Sequence, residues 1–271
     1  MTNYSLSSLR IWARQPFGLP VLAHIKGRAV PCTTWITELT PSEDKMSSET
    51  QAWETKCLSL GGRLNYIAQF TRPDIGAALS LAMRHVSGAT EQVYKALLRI
   101  VVYLGHTADY KIRYGPKFGD KLRSLIVQHA PELPVDPWDE FDVFYMSDAS
   151  HGGPKPLQCS IGFVWGGPFS WRISRLAATP LSSCQAEWFA ATTSACSIAA
   201  FSGIFTFMAP NVTLPILIVT DNKGAQTLLD GDGTTKRMKH VATKLAFLQE
   251  GADDGTHMLL YAKNECMAAD I

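Results

Sequence analysis

Four acidic residues stand at the edges of recognisable elements: Asp148 in FYMSDAS, Glu187 in LSSCQAEWFAA, Asp221 in LPILIVTDNKGA and Asp270 in the terminal AADI. Two of the aspartates close apolar runs that read as buried strands. The glutamate sits one turn inside a helix of small residues, and Asp270 opens a further helix. Carboxylates brought together repel, by roughly 4 kcal/mol for two unit charges at about 4 Å and an effective dielectric near 20. A proton or a cation has to neutralise such a group. Hard oxygen donors suit Mg²⁺ or Mn²⁺. Two such ions clamp the attacking and leaving oxygens of a phosphoryl displacement. The expected chemistry is therefore nuclease chemistry, with Asp148, Glu187, Asp221 and Asp270 as both metal ligands and catalytic residues.

That reading demands particular elements. If FDVFYMSD and LPILIVTD lie parallel and adjacent, both aspartates emerge at one edge of the sheet, where open α/β sheets place ligands. A helix starting near Ser182 must run past that edge to deliver Glu187. Thr179-Pro180-Leu181 precede it, and Ser182 with Gln185 fits a capping box. Ala186, Ala190, Ala191 and Ser194 are small enough to let this helix approach the sheet closely. Taken singly, a strand-end Asp is more often a turn or cap residue, and Asp221-Asn222 could cap the helix that follows. Four such residues in this order require four independent coincidences.

Around these residues the chain reads as strand 142–148, strand 159–166, strand 169–175, helix 182–207, strand 214–221, helix 222–230, helix 238–250 and strand 256–263, then a helix start. Gly166-Gly167-Pro168 is the expected hairpin turn. Upstream, 53–70, 73–87 and 90–106 read as helices, with Pro73 suited to a first turn. The stretch 115–140 is rich in Pro and charge and reads as a linker. The expected domains are a mainly helical region over 1–117, a linker over 118–140 and an α/β domain over 141–271. The α/β domain is a mixed five-stranded sheet with helices on both faces.

From Phe144 to Ile271 the motifs SDAS, SIGFVWGGPFSWRISR, LSSCQAEWFA, VTDNKGA, KRMKH and AADI occur in order. This set resembles the ribonuclease H domain of copia-type retrotransposon polyproteins. GGRLNYIAQFTRPDIGAALSLAMRHV and YKALLRIVVYLGHTADYKIRYG resemble the segment that joins reverse transcriptase to that domain. The resemblance covers roughly residues 30–271. It implies a ribonuclease H-like fold and two-metal hydrolysis of the RNA strand of an RNA–DNA hybrid. It places the metal ligands on Asp148, Glu187, Asp221 and Asp270. The family has a basic run similar to Lys236, Arg237, Lys239 and His240. That run implies backbone contacts to the hybrid from Arg237, Lys239 and His240, or help in proton transfer, against a plain reading as the solvated first turn of a helix. Asn222 is a further expected substrate-binding residue, and an upstream reverse transcriptase portion is the implied partner. The chain departs from the family at Ser150, where a further acidic residue is common, and at Cys184-Gln185, where Thr-Glu is usual. The family's helix after Asp270 is longer than the single residue present here. An inactive remnant, or a nucleic-acid-binding module that keeps the fold without cutting, is the alternative. An integrase would need its Glu last of three carboxylates, and here the order is different.

Several features carry less. Asp253-Asp254 in LQEGADDGTHMLLYA lacks the apolar hairpin of a polymerase palm and reads as a solvated turn. His151-Gly152-Gly153 reads as a loop. Trp171, Tyr145 and Trp188 read as core or sheet-face aromatics, with packing of Trp188 on a hybrid as the rival reading. Net charge is +1, yet residues 1–117 hold 14 Lys/Arg against 8 Asp/Glu and residues 118–271 hold 11 against 16. A basic part beside an acidic site suits a polyanionic substrate. The six cysteines form no CxxC pair and no zinc spacing, which fits a reducing, intracellular setting, cytoplasmic or nuclear. The longest apolar run, near Ile198–Met208, is interrupted by Ser and Gly and falls short of the roughly 18 residues of a membrane span. No membrane association is expected.

Overall fold

In the computed structural model the residues described are 36, 39–115, 124, 126, 128, 143–151, 156–208, 215–229, 242–263 and 267. The chain divides between Lys111 and Ile112 into two compact units.

In the first unit, Ser47 opens helix α1 (Ser48–Phe70), its hydroxyl accepting from the Thr50 amide at 3.1 Å. This is a side-chain N-cap satisfying one of the orphan donors of a first turn. The helix starts five residues before the expected Trp53 because this cap lies in a stretch whose polarity reads as loop. Buried Cys57, Gly61, Leu64 and Ala68 form one stripe at helical spacing. The single helix expected over 73–87 is instead a 3₁₀ turn, Pro73–Ile75, followed by α2 (Gly76–Met83). Helix α3 spans Glu91–His106, as the sequence indicates. Leu64, Ile75, Leu79, Val93, Leu97 and Ile100 close the core between these helices.

The second unit is built on β1 (Val143–Ala149), β2 (Leu157–Val164), β3 (Gly167–Arg175), β4 (Ile216–Thr220) and β5 (His257–Tyr261). Their order across the sheet is β3-β2-β1-β4-β5. β1 pairs antiparallel with β2 and parallel with β4, and β4 pairs parallel with β5. Helices α4 (Ser183–Met208), α5 (Lys223–Leu229) and α6 (Ala242–Asp253) complete it. This is the ribonuclease H-like topology expected from the sequence: three antiparallel strands, then α-β-α-α-β with parallel pairing.

β1 is buried along its whole length. Val143 and Tyr145 face the helices with Trp188, Ala191, Ile198 and Leu248. Phe144 and Met146 face the other side with Phe163, Leu217, Val219 and Leu260. Ile126, from the segment expected as linker, is fully buried in this second cluster. Helix α4 is long and apolar enough to cross a bilayer by length and composition, contrary to the sequence expectation. Its buried residues Ala191, Ala195 and Ile198 pack into the same cluster as β1 and β4.

The β2–β3 turn sits one residue earlier than expected, at Trp165 (φ 48°) and Gly166 (φ 72°). Two consecutive positive φ values make the tight turn that matches strand twist. Gly167 already belongs to β3 and has a different reason to be glycine. A side chain there would collide with the Tyr114 ring and the Arg113 carbonyl. Tyr114 donates its hydroxyl to the Pro168 carbonyl at 2.8 Å, and the Gly115 amide donates to the Trp165 carbonyl.

Candidate metal centre

The parallel register sets Met146 of β1 opposite Val219 of β4. Asp148 and Asp221, each two residues further on, therefore reach the same level at the strand ends. Glu187 arrives from the first turns of α4. Gln185 donates its amide to Ser182 Oγ at 3.2 Å. The Gln185 side-chain carbonyl takes the amide of Leu181, one residue earlier than a standard capping box would have it. Ala186, Ala190 and Ala191 are buried to 1% exposure or less, and Ser194 Oγ meets Ser160 Oγ at 2.7 Å. The small residues let the helix lie against the sheet, as the sequence indicates.

One carboxylate oxygen from each of Asp148, Glu187 and Asp221 lies within 4.8 Å of the others. Asp148 and Glu187 are buried, at 8% and 4% exposure, and Asp221 is half-buried. Glu187 Oε1 accepts from the Ala149 amide at 3.3 Å, and Oε2 accepts from Thr220 Oγ1 at 3.2 Å. Burial, followed by the negative charges of Asp148 and Asp221, pushes the Glu187 carboxyl up to about 9. The two hydrogen bonds act against that shift without overcoming it. Three hard oxygen donors under this mutual repulsion form a donor set that a divalent cation fits.

The other expected site residues fare differently. Asn222 Oδ1 accepts from the Ala225 amide at 3.1 Å and caps α5, so its carbonyl is engaged in the fold. Asp270, His240, Lys239 and Arg237 lie outside the described residues, as do Gly152 and Gly153. Trp188 is 1% exposed and donates its indole N–H to the Ala225 carbonyl at 3.1 Å, which excludes it as a platform for a bound base. Asp253 ends α6 and Asp254 lies in the turn after it, both exposed, as expected for a solvated turn. The sequence reading missed Thr220 and the Ala149 amide, whose roles depend on strand register.

No family model matches the chain. The retrovirus-related Pol polyprotein from transposon RE1 of Arabidopsis thaliana is 27% identical over 220 residues, 80% of this chain, and that from transposon RE2 is 25% identical over the same share. This chain is similar to a segment of retrotransposon Pol polyproteins. It spans 14% of the length of those polyproteins. Among solved structures, RNase H1 from the halophilic archaeon Halobacterium salinarum is 15% identical, with a TM-score of 0.35, over 45% of this chain and 86% of its own. LC11-RNase H1, determined in complex with an RNA/DNA hybrid, is 11% identical, with a TM-score of 0.36, over 46% of this chain and 88% of its own. A foamy viral protease-reverse transcriptase, determined in complex with double-stranded DNA, is 14% identical, with a TM-score of 0.42, over 80% of this chain and 35% of its own. The polyprotein similarity extends over both the helical unit and the sheet unit, since 80% of the chain exceeds either one alone.

Proposed function

We propose that this polyprotein segment is a metal-dependent ribonuclease H that hydrolyses the RNA strand of RNA–DNA hybrids within a copia-type retrotransposon Pol polyprotein. The observation that carries this reading is the convergence of Asp148, Glu187 and Asp221 at one edge of a β3-β2-β1-β4-β5 sheet. In this reading the three carboxylates, with Asp270 as the fourth, hold two Mg²⁺ or Mn²⁺ ions. Bound divalent ions supply an activated water and stabilise the departing 3′ oxygen.

The chain's own residues prepare that chemistry. Asp148 and Asp221 are fixed by strand ends, and Glu187 by a helix packed against the sheet, so their spacing is set before any ligand arrives. Burial of Asp148 and Glu187 keeps bulk water away and strengthens their pull on a cation. Arg237, Lys239 and His240 contact the hybrid backbone, and a contact to the 2′-hydroxyl selects the RNA strand. The reverse transcriptase portion of the polyprotein is the natural supplier of hybrid.

The test incubates the purified chain with a strand-labelled RNA–DNA hybrid in Mg²⁺ and separately in Mn²⁺, with Asp148→Asn as control. Cleavage of the RNA strand alone, abolished in the variant, is expected. Cleavage equal in the two proteins would end the reading. Salt-sensitive hybrid binding without cleavage would replace it with a binding module.

A further inference from the structure

Thr220 is the last residue of β4 and is fully buried. Its hydroxyl touches two groups. The Asn222 amide lies 3.4 Å from Oγ1, and an amide N–H can only donate. The hydroxyl oxygen accepts there, which leaves its own proton to point at Glu187 Oε2, 3.2 Å away. The other Glu187 oxygen is taken by the Ala149 amide of β1 at 3.3 Å. The carboxylate is thus held from both sides by neighbouring strands, and turning it would break both hydrogen bonds.

We propose that Thr220 is a positioning residue. Its hydroxyl fixes the orientation of the Glu187 carboxylate and thereby sets how tightly the carboxylate cluster takes a divalent cation. This rests on the reading of the cluster as a metal site. Once ionised to take a cation, Glu187 is repelled by Asp148 and Asp221, and an unrestrained carboxylate would swing away from them. A hydroxyl suits the task because it donates one hydrogen bond without adding charge. It leaves the remaining lone pairs of Glu187 to a cation, whereas an ammonium group in the same place would compete with one. Ligating carboxylates are commonly held in this way, and loss of such a partner weakens metal affinity about ten- to a hundred-fold. Thr220 is too deeply buried to meet substrate itself.

The experiment is a calorimetric titration of Mn²⁺ alone into the metal-free full chain at one fixed pH. The proteins compared are wild type, Thr220→Val, Thr220→Ser, Glu187→Gln and the double variant Thr220→Val/Glu187→Gln. Valine keeps the shape without the hydroxyl, and serine keeps the hydroxyl. The expected result is Mn²⁺ binding about ten- to a hundred-fold weaker in Thr220→Val, restored in Thr220→Ser. No further loss is expected when Thr220→Val is added to Glu187→Gln. Equal binding by Thr220→Val and wild type, or an additive loss in the double variant, would overturn the positioning role and leave the metal site standing. Failure of wild type to bind Mn²⁺ would overturn both. Should Thr220→Val not fold, Thr220→Cys, of similar size and a weak donor, replaces it with the same expectations.

Discussion

Arg72 and Asp74 grip each other across Pro73 by two parallel hydrogen bonds, Nε to Oδ1 at 2.9 Å and Nη2 to Oδ2 at 2.7 Å. Two of the three remaining N–H donors of Arg72 reach the Thr107 carbonyl at 2.9 Å and the Thr107 hydroxyl at 2.6 Å. The Tyr103 hydroxyl donates to Asp74 Oδ2 at 2.8 Å. The RPDI segment is therefore a clasp between the end of α1 and the end of α3. Its arginine is a structural group, whose planar fork makes a bidentate contact that the single ammonium of a lysine lacks.

Asp74→Asn is expected to destabilise the helical unit by about 2–3 kcal/mol. A fully buried pair broken from one side costs roughly 3–5 kcal/mol, and Asp74 keeps 25% of its side chain exposed. The shift in urea midpoint measures it. A change below about 0.5 kcal/mol, the level of an ordinary surface substitution, would mean that the clasp contributes little.

Metal-free stability should depend on pH through Glu187. Its carboxyl is raised from an ordinary 4.5 to about 9, so the folded state holds a proton that the unfolded chain releases. The resulting stability is complete below about pH 4.5 and is lost as pH rises through about 9. The slope approaches at most roughly 1.4 kcal/mol per pH unit. Thermal melts in a chelator between pH 5 and 9 test this, and Glu187→Gln should flatten the curve. An identical slope in the variant would assign the pH dependence elsewhere.

Acid should act on a different residue. His257 is buried, donates Nε2–H to the Leu248 carbonyl at 3.2 Å, and is held below its ordinary value by burial. The unfolded chain gains the proton first, so stability is complete above about pH 6.5 and falls as pH drops from there. His257→Gln should weaken that decline between pH 6.5 and 5. Melting temperatures across this window show it, and a decline unchanged in the variant would point to the carboxylates alone.

Trp188→Phe should cost about 2 kcal/mol, through lost volume and the lost indole hydrogen bond to the Ala225 carbonyl. Because the indole is buried in the core, the KM for hybrid should stay at the wild-type value in the folded variant. A raised KM at unchanged stability would instead favour contact with nucleic acid.

The sequence carried the backbone of the site. Apolar runs ending in Asp148 and Asp221 identified β1 and β4, and a cap signal at Ser182 identified the helix that brings Glu187. These are local patterns, readable within about eight residues. Thr220 was not legible as a site residue. Its side chain meets Glu187 only because β4 pairs with β1 in a particular register, which is a non-local fact. The hairpin turn misled for a related reason. Gly166, Gly167 and Pro168 all carry turn chemistry, but Gly167 is small to accommodate Tyr114, 53 positions earlier in the chain. Likewise RPDI reads locally as a helix start, while its clasp depends on Thr107 and Tyr103, roughly 30 residues on.

β1 lies at the centre of the sheet and is buried throughout. Opening free energies are greatest for such a strand, up to that of global unfolding. The amides flanking Asp148 should thus be among the last to exchange with deuterated solvent. Warming should not switch the centre off in a still-folded chain: cation binding and the sheet itself should disappear together, at one temperature.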